Sequence, residues 1–190
     1  LAAFNKGSGE AAWKVDRNLG APEEAAQAYS TPIVAVVDGQ ERIYVLGADH
    51  ATGHAAATGQ ELWRVGGLNP TSHKYFRSIS GPVLAGETLI APYARGGSVT
   101  GIKLGGSGDV TKSHVLWTVE GVGADVPTPT FLGDRVFVCR DKGTVVELDR
   151  KTGEAVGEVT VEKNRNGFSA SPIRAGNLLY VTREDGTTFV

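Results

Sequence analysis

A chain of 190 residues, 41% apolar and 21% charged, can bury a core over roughly two-thirds of its unfolded surface, and its composition excludes both a disordered tract and a membrane-embedded one. Nineteen Lys and Arg stand against 21 Asp and Glu; the net charge of -2 gives no general attraction to phosphate backbones, so nucleic acid is not an expected partner. No apolar run approaches the ~18 residues that a bilayer span requires.

Glycine is the outlier, at 26 residues spread along the whole chain, about twice its usual share of roughly 7%. Dispersed glycine predicts many turns and therefore many short strands. Methionine is absent and Leu1 has neither a basic n-region nor a cleavage site after it, which predicts a fragment of a longer chain with no targeting segment of its own. Cys139 is the single cysteine, so no internal disulfide and no two-cysteine metal or redox motif can form.

In chain order, residues 1–15, LAAFNKGSGEAAWKV, read as two apolar strands joined at Ser8-Gly9. Pro22 followed by EEAAQA predicts a single helical turn in a loop. STPIVAVVDGQERIYVL then reads as a hairpin turned at Asp38-Gly39, and AAATGQELWRV, Ala55 to Val65, repeats the opening motif. SGPVLAGETLIAP is a second hairpin, turned at Ala85-Gly86. Its partner motif is disturbed: Gly101 to Leu104 match the apolar run, but ten residues from Gly108 to Trp117 replace the usual four-residue step from glycine to tryptophan. TPTFLGDRVFVC turns at Gly133-Asp134, VVELDRKTGEAVGEV aligns without gaps on the opening motif, and SASPIRAGNLLYVT turns at Ala175-Gly176.

Pro32, Pro82, Pro129 and Pro172 head the hairpins at intervals of 50, 47 and 43 residues, where the first residue of a strand can forgo its ladder donor. Each period therefore holds four short strands, a unit too small to bury both of its faces alone. Stacking such units about an axis gives an all-β fold, a β-propeller of four-stranded antiparallel blades. Full blades are expected over residues 30–65, 80–119 and 128–160, with half-blades at 1–19 and 169–190.

Thr58-Gly59 with Trp63, Asp149 with Thr152-Gly153, Ser8-Gly9 with Trp13 and the Ser169 to Pro172 run resemble the PQQ-like repeat of quinoprotein and BamB-like propellers, over essentially the whole chain. Gly157 departs from the pattern at the tryptophan position, Ala55 departs at the aspartate, and the third repeat carries the insertion, so blade docking is expected to be uneven. The resemblance implies a ring of seven or eight blades, of which about half is present. It also implies an extracytoplasmic location and a non-enzymatic scaffold that binds a protein or another macromolecule. A homodimer that completes the ring, each carboxy-terminal half-blade pairing with the partner's amino-terminal one, is the further expectation. The alternative is a degenerate quinoprotein dehydrogenase, or another enzyme, whose site needs blades outside this chain.

Chemistry-bearing groups are few. Asp49, His50 and His54 have metal-like spacing, since His50 and His54 share a face in an extended segment, but a further ligand must come from elsewhere; the competing assignment is loop residues that bond to the backbone. Neither PQQ nor calcium is an expected cofactor: the vicinal disulfide of quinoprotein dehydrogenases is impossible here, and Trp13, Trp63 and Trp117 occupy outer-strand packing positions. No catalytic residue is assigned. Gly105 to Asp109 is glycine-rich but reads as an ordinary loop with no helix after it, Cys139 as a small buried hydrophobe, and His73 and His114 as solvated.

Overall fold

The computed structural model describes residues 1–190, and it consists of five small sheets in chain order. The first pairs β1 (Ala2–Phe4) with β2 (Ala11–Lys14). The second runs β3 (Ile33–Val37), β4 (Gln40–Gly47), β5 (His50–Ala55), β6 (Glu61–Val65). The third contains β7 (Val83–Ala85), β8 (Thr88–Tyr93), β9 (Ser98–Lys103) and, after the short β10 (Gly108–Asp109), β11 (Val115–Glu120). The fourth is β12 (Thr130–Leu132), β13 (Arg135–Cys139), β14 (Thr144–Asp149), β15 (Ala155–Thr160). The fifth has β16 (Ile173–Ala175), β17 (Leu178–Thr182) and β18 (Thr188–Phe189). Apart from β10, all of these pairs are antiparallel meanders, and the architecture is a partial β-propeller.

The four prolines occupy equivalent places, each directly before the first strand of its sheet: β3, β7, β12 and β16. These entry points also link neighbouring sheets, because the Gly81 N–H donates to Thr128 Oγ1 at 2.9 Å and the Thr128 N–H donates to Ser171 Oγ at 3.0 Å. The β3–β4 turn requires positive φ at both central residues, and Asp38 (51°) and Gly39 (72°) supply it.

The core lies between sheets. Tyr44, Leu46, Trp63 and Val65 of the second sheet meet Leu89, Ala91, Tyr93 and Ile102 of the third, while Ile90, Val99 and Trp117 face Val136, Val138, Val146 and Leu148 of the fourth. Strand β8 is buried at every position because it lies between two neighbours, hence its near-continuous apolar sequence. Where a neighbour is lacking, apolar side chains stay in the open: Val34 and Val36 on β3 are 62% and 68% exposed, and Ile173 on β16 is 67% exposed.

The repeat motif is a docking device. In β6 and β11 a tryptophan lies across from a glycine of the preceding strand, Trp63 on Gly53 and Trp117 on Gly101, and a Cβ on either glycine would collide with the ring. Trp117 also covers Gly153 of the next sheet and its Nε1 donates to Arg150 O at 2.9 Å; Trp13 covers Gly59 in the same way and its Nε1 donates to Ala56 O at 2.9 Å. In the fourth sheet the pair is Glu147 opposite Gly157, with no tryptophan at either position.

The motif's aspartate builds the turn onto which the ring docks. Asp149 Oδ1 accepts from the N–H groups of Lys151 and Thr152, and Asn5 Oδ1 does the same for Gly7 and Ser8. Those backbone donors hold the Asp149 carboxyl below its usual range. Ala55 has no such side-chain acceptor; in that turn Thr58 Oγ1 accepts from Gln60 N–H and His54 Nδ1 donates to Gly59 O.

The structure corrects the sequence reading in two places. Residues Thr111–His114 form a one-turn α-helix, α1, directly after the glycine-rich loop, where no helix is expected. The inserted β10 also pairs in parallel with β6, Gly108 with Trp63 and Asp109 with Arg64, so the insertion of the third repeat becomes a fifth strand on the second sheet. The helical turn after Pro22 is a 3-10 turn over Glu23–Ala26.

Candidate functional site

Asp49, His50 and His54 lie along the second sheet, two of them on β5, and each already has protein partners. Asp49 Oδ1 accepts from Tyr93 Oη at 2.9 Å and from Asn69 Nδ2 at 3.1 Å, and its own N–H donates back to the Tyr93 oxygen. His50 Nδ1 lies 2.7 Å from Ala48 O. His54, 1% exposed, donates from Nδ1 to Gly59 O, and its Nε2 meets Thr52 Oγ1, both at 2.9 Å. No three His, Cys, Asp or Glu side chains come together in an arrangement that could hold a metal ion.

These residues belong instead to a polar seam between sheets. Arg17, in the connection from β2 to β3, donates from Nε to Thr52 Oγ1 at 2.9 Å and from its terminal nitrogen to Gly47 O and His50 O at 3.1 and 3.2 Å. Burial, followed by the Arg17 charge, lowers the pKa of His54; burial raises that of Tyr93 far above the usual phenol range. The sequence reading missed Arg17, Thr52, Asn69 and Tyr93. Thr52 with His54, a buried polar pair two residues apart on one strand face, was the available signal; Arg17 carries none, because only the fold brings it to that strand.

A charged ladder crosses the loops that connect the sheets. Lys74 pairs with Glu23 at 3.3 Å, Arg77 with Glu24 at 3.5 Å, and Arg95 with Asp125 at 3.2 Å. Such partly exposed pairs contribute about 0–1 kcal/mol each, so they set the register of loops more than they stabilise the fold. His73, expected to be solvated, is exposed yet stacks on Phe76 with ring centroids 4.3 Å apart, and His114 lies in α1 with Nδ1 2.8 Å from Ser113 Oγ. Cys139 is buried and its thiol pKa is pushed up to about 11, so little of it is thiolate at neutral pH. Each indole lies on a glycine, and the indole N–H of Trp13 and of Trp117 is spent on a carbonyl.

The family model described as outer membrane protein assembly factor BamB matches residues 1–190. The chain belongs to this PQQ-like, BamB-type β-propeller family. Among solved structures it is similar to BamB from Moraxella catarrhalis at 18% identity, with a TM-score of 0.66 over 96% of this chain and 54% of that one. It is likewise similar to the computationally designed Ika8 protein, with 15% identity and a TM-score of 0.64 over 97% of this chain and 50% of that one. Quinohemoprotein alcohol dehydrogenase from Comamonas testosteroni gives 13% identity and a TM-score of 0.68 over 100% of this chain and 38% of that one. At these identities the likeness is one of fold, and this BamB-type chain spans about half the length of the first two. None of the curated proteins matches the sequence. No helix is long and apolar enough to cross a membrane.

Proposed function

We propose that this BamB-type chain is a non-enzymatic, extracytoplasmic interaction module whose loops hold a protein or another macromolecule. The observation that carries the reading is where the chemistry-bearing groups are spent: the tryptophans dock on glycines, and His54 and Asp49 are tied into the seam between sheets. The charged loop ladder is the surface left to a partner. The rival reading is a quinoprotein enzyme completed by further blades. Titration with PQQ and calcium separates the two: no change in quinone absorbance or melting temperature is expected, and saturable binding would sink the scaffold reading.

We also propose that two copies of the 190-residue chain close a ring. The first sheet has two strands and the fifth has three, and the faces next to them leave Val34, Val36 and Ile173 open. Half of the Ika8 chain matches this one, which supports a ring of two such units. The register adds a detail. Phe189 opposite Val181 and Ala3 opposite Trp13 place Thr188 to Val190 in the same lane as the partner's first three residues, so one of the two short strands must yield. Sedimentation at micromolar concentration is expected to show a dimer, and Val34→Lys with Val36→Lys a monomer whose melting temperature no longer rises with protein concentration. A monomeric wild type discards the pairing.

A further inference from the structure

The insertion in the third sheet does more than replace a tryptophan-docking turn. By pairing β10 with β6 it leaves a cleft of about 580 Å3 between the second and third sheets, with a second hollow of about 560 Å3 adjoining it across Gly66, Gly67, Thr111 and Lys112. Both volumes lie within the roughly 300–1,000 Å3 of small-molecule sites. The insertion is fastened rather than loose, because Thr111 Oγ1 accepts from Gly66 N–H at 2.8 Å and Val110 N–H donates to Arg64 O at 2.9 Å.

The lining has a particular chemistry. Ser98, Thr100 and Thr118 present hydroxyls from β9 and β11; Thr100 and Thr118 face each other at 3.1 Å, and the Ser98 hydroxyl, in a residue only 5% exposed, has no protein hydrogen-bond partner. Between these hydroxyls lie threonine methyls, bare glycine backbone and Phe76, which is backed by the His73 ring. Lys112 and Glu120 sit in the same wall, neither of them in an ion pair with another side chain. Hydroxyls that both donate and accept, interleaved with C–H surface and flanked by one free cation and one free carboxylate, match a ligand with the same alternation of hydroxyl and C–H faces.

We propose that this cleft binds a short oligosaccharide. Thr100, Thr118 and Ser98 exchange hydrogen bonds with its hydroxyls, Phe76 takes an apolar ring face, and Lys112 and Glu120 make charge-assisted bonds at the mouth. The assignment rests on the cleft that the insertion, β9, β11 and Phe76 line together, and needs neither a protein partner nor a second copy of the chain.

The test is a glycan array probed with the labelled 190-residue chain, followed by calorimetric titration of the best oligosaccharide. Saturable binding is expected, with affinity falling at least tenfold in Thr100→Val/Thr118→Val, about the loss of one or two net hydrogen bonds. Lys112→Ala, at an exposed position that cannot unfold the chain, should weaken binding severalfold with the melting temperature unchanged. Silence across the array, undiminished affinity in both variants, or capture of peptides with no glycan retained would each overturn the proposal.

Discussion

Trp117→Ala is expected to cost about 3–5 kcal/mol, the range for truncating a buried large aromatic, and to lower the melting temperature by roughly 6–20 °C for a chain of this size. The loss is large because one ring closes two contacts. Trp117, 8% exposed, lies on Gly101 within its own sheet and on Gly153 of the next, 2.6 Å from where a Cβ there would stand. Its removal opens a gap at the junction of two sheets and leaves Arg150 O without the indole donor 2.9 Å away. Enlarging Gly153 would not rescue the variant, because its φ of 75° strains any side chain placed there. Trp13→Ala should cost less, since Trp13 is only half-buried and docks at the end of the array. Urea midpoints for the two variants check the ranking; equal shifts would mean that docking is not what the tryptophans contribute.

Much of this fold was legible because its signals are local and repeat. The prolines before β3, β7, β12 and β16, the glycine turns and the Thr-Gly–Trp spacing are each set by backbone geometry within a few residues, and four copies make them legible. Gly157 could be read as a missing tryptophan, but that Glu147 stands opposite it, reversing the glycine–tryptophan pair of Gly53 with Trp63, depends on register and emerged only in the structure. The insertion was legible as a break, not as a strand, because two residues of β10 carry no periodicity and find their partner in another sheet. The candidate site was half legible. Asp49, His50 and His54 stood out by type, but a hydrogen-bonding histidine and a ligating one look alike in sequence, and the groups that decide between them, Arg17, Thr52 and Tyr93, are distant along the chain.

Arg17→Met is expected to destabilise the chain by about 1–3 kcal/mol, the cost of leaving buried acceptors without their donor, and also to flatten its acid sensitivity. Three acceptors lose a partner: Thr52 Oγ1, Gly47 O and His50 O. The acid effect runs through His54. Its Nδ1–H donates to Gly59 O, which leaves Nε2 as the lone-pair nitrogen that accepts the Thr52 hydroxyl, whose oxygen is in turn the acceptor for Arg17. A second proton on the ring would require the Thr52 hydroxyl to turn to Val45 O, 3.5 Å away, and would add a charge near the guanidinium. Burial first, and the Arg17 charge after it, therefore keep the folded-state pKa of His54 below its ordinary value. Unfolded, the ring titrates near 6.5, so the unfolded chain takes up the proton first. Stability from this group is complete above about pH 6.5 and is lost as pH falls toward the lowered folded-state value. Losing the Arg17 charge raises that folded-state value and narrows the window, without closing it, because the burial of His54 remains. Urea midpoints from about pH 7.5 to about pH 5 should fall most steeply in the wild type, less in Arg17→Met, and least in His54→Gln. If His54→Gln kept the wild-type slope, acid sensitivity would lie with other groups and the seam would be a structural contact alone.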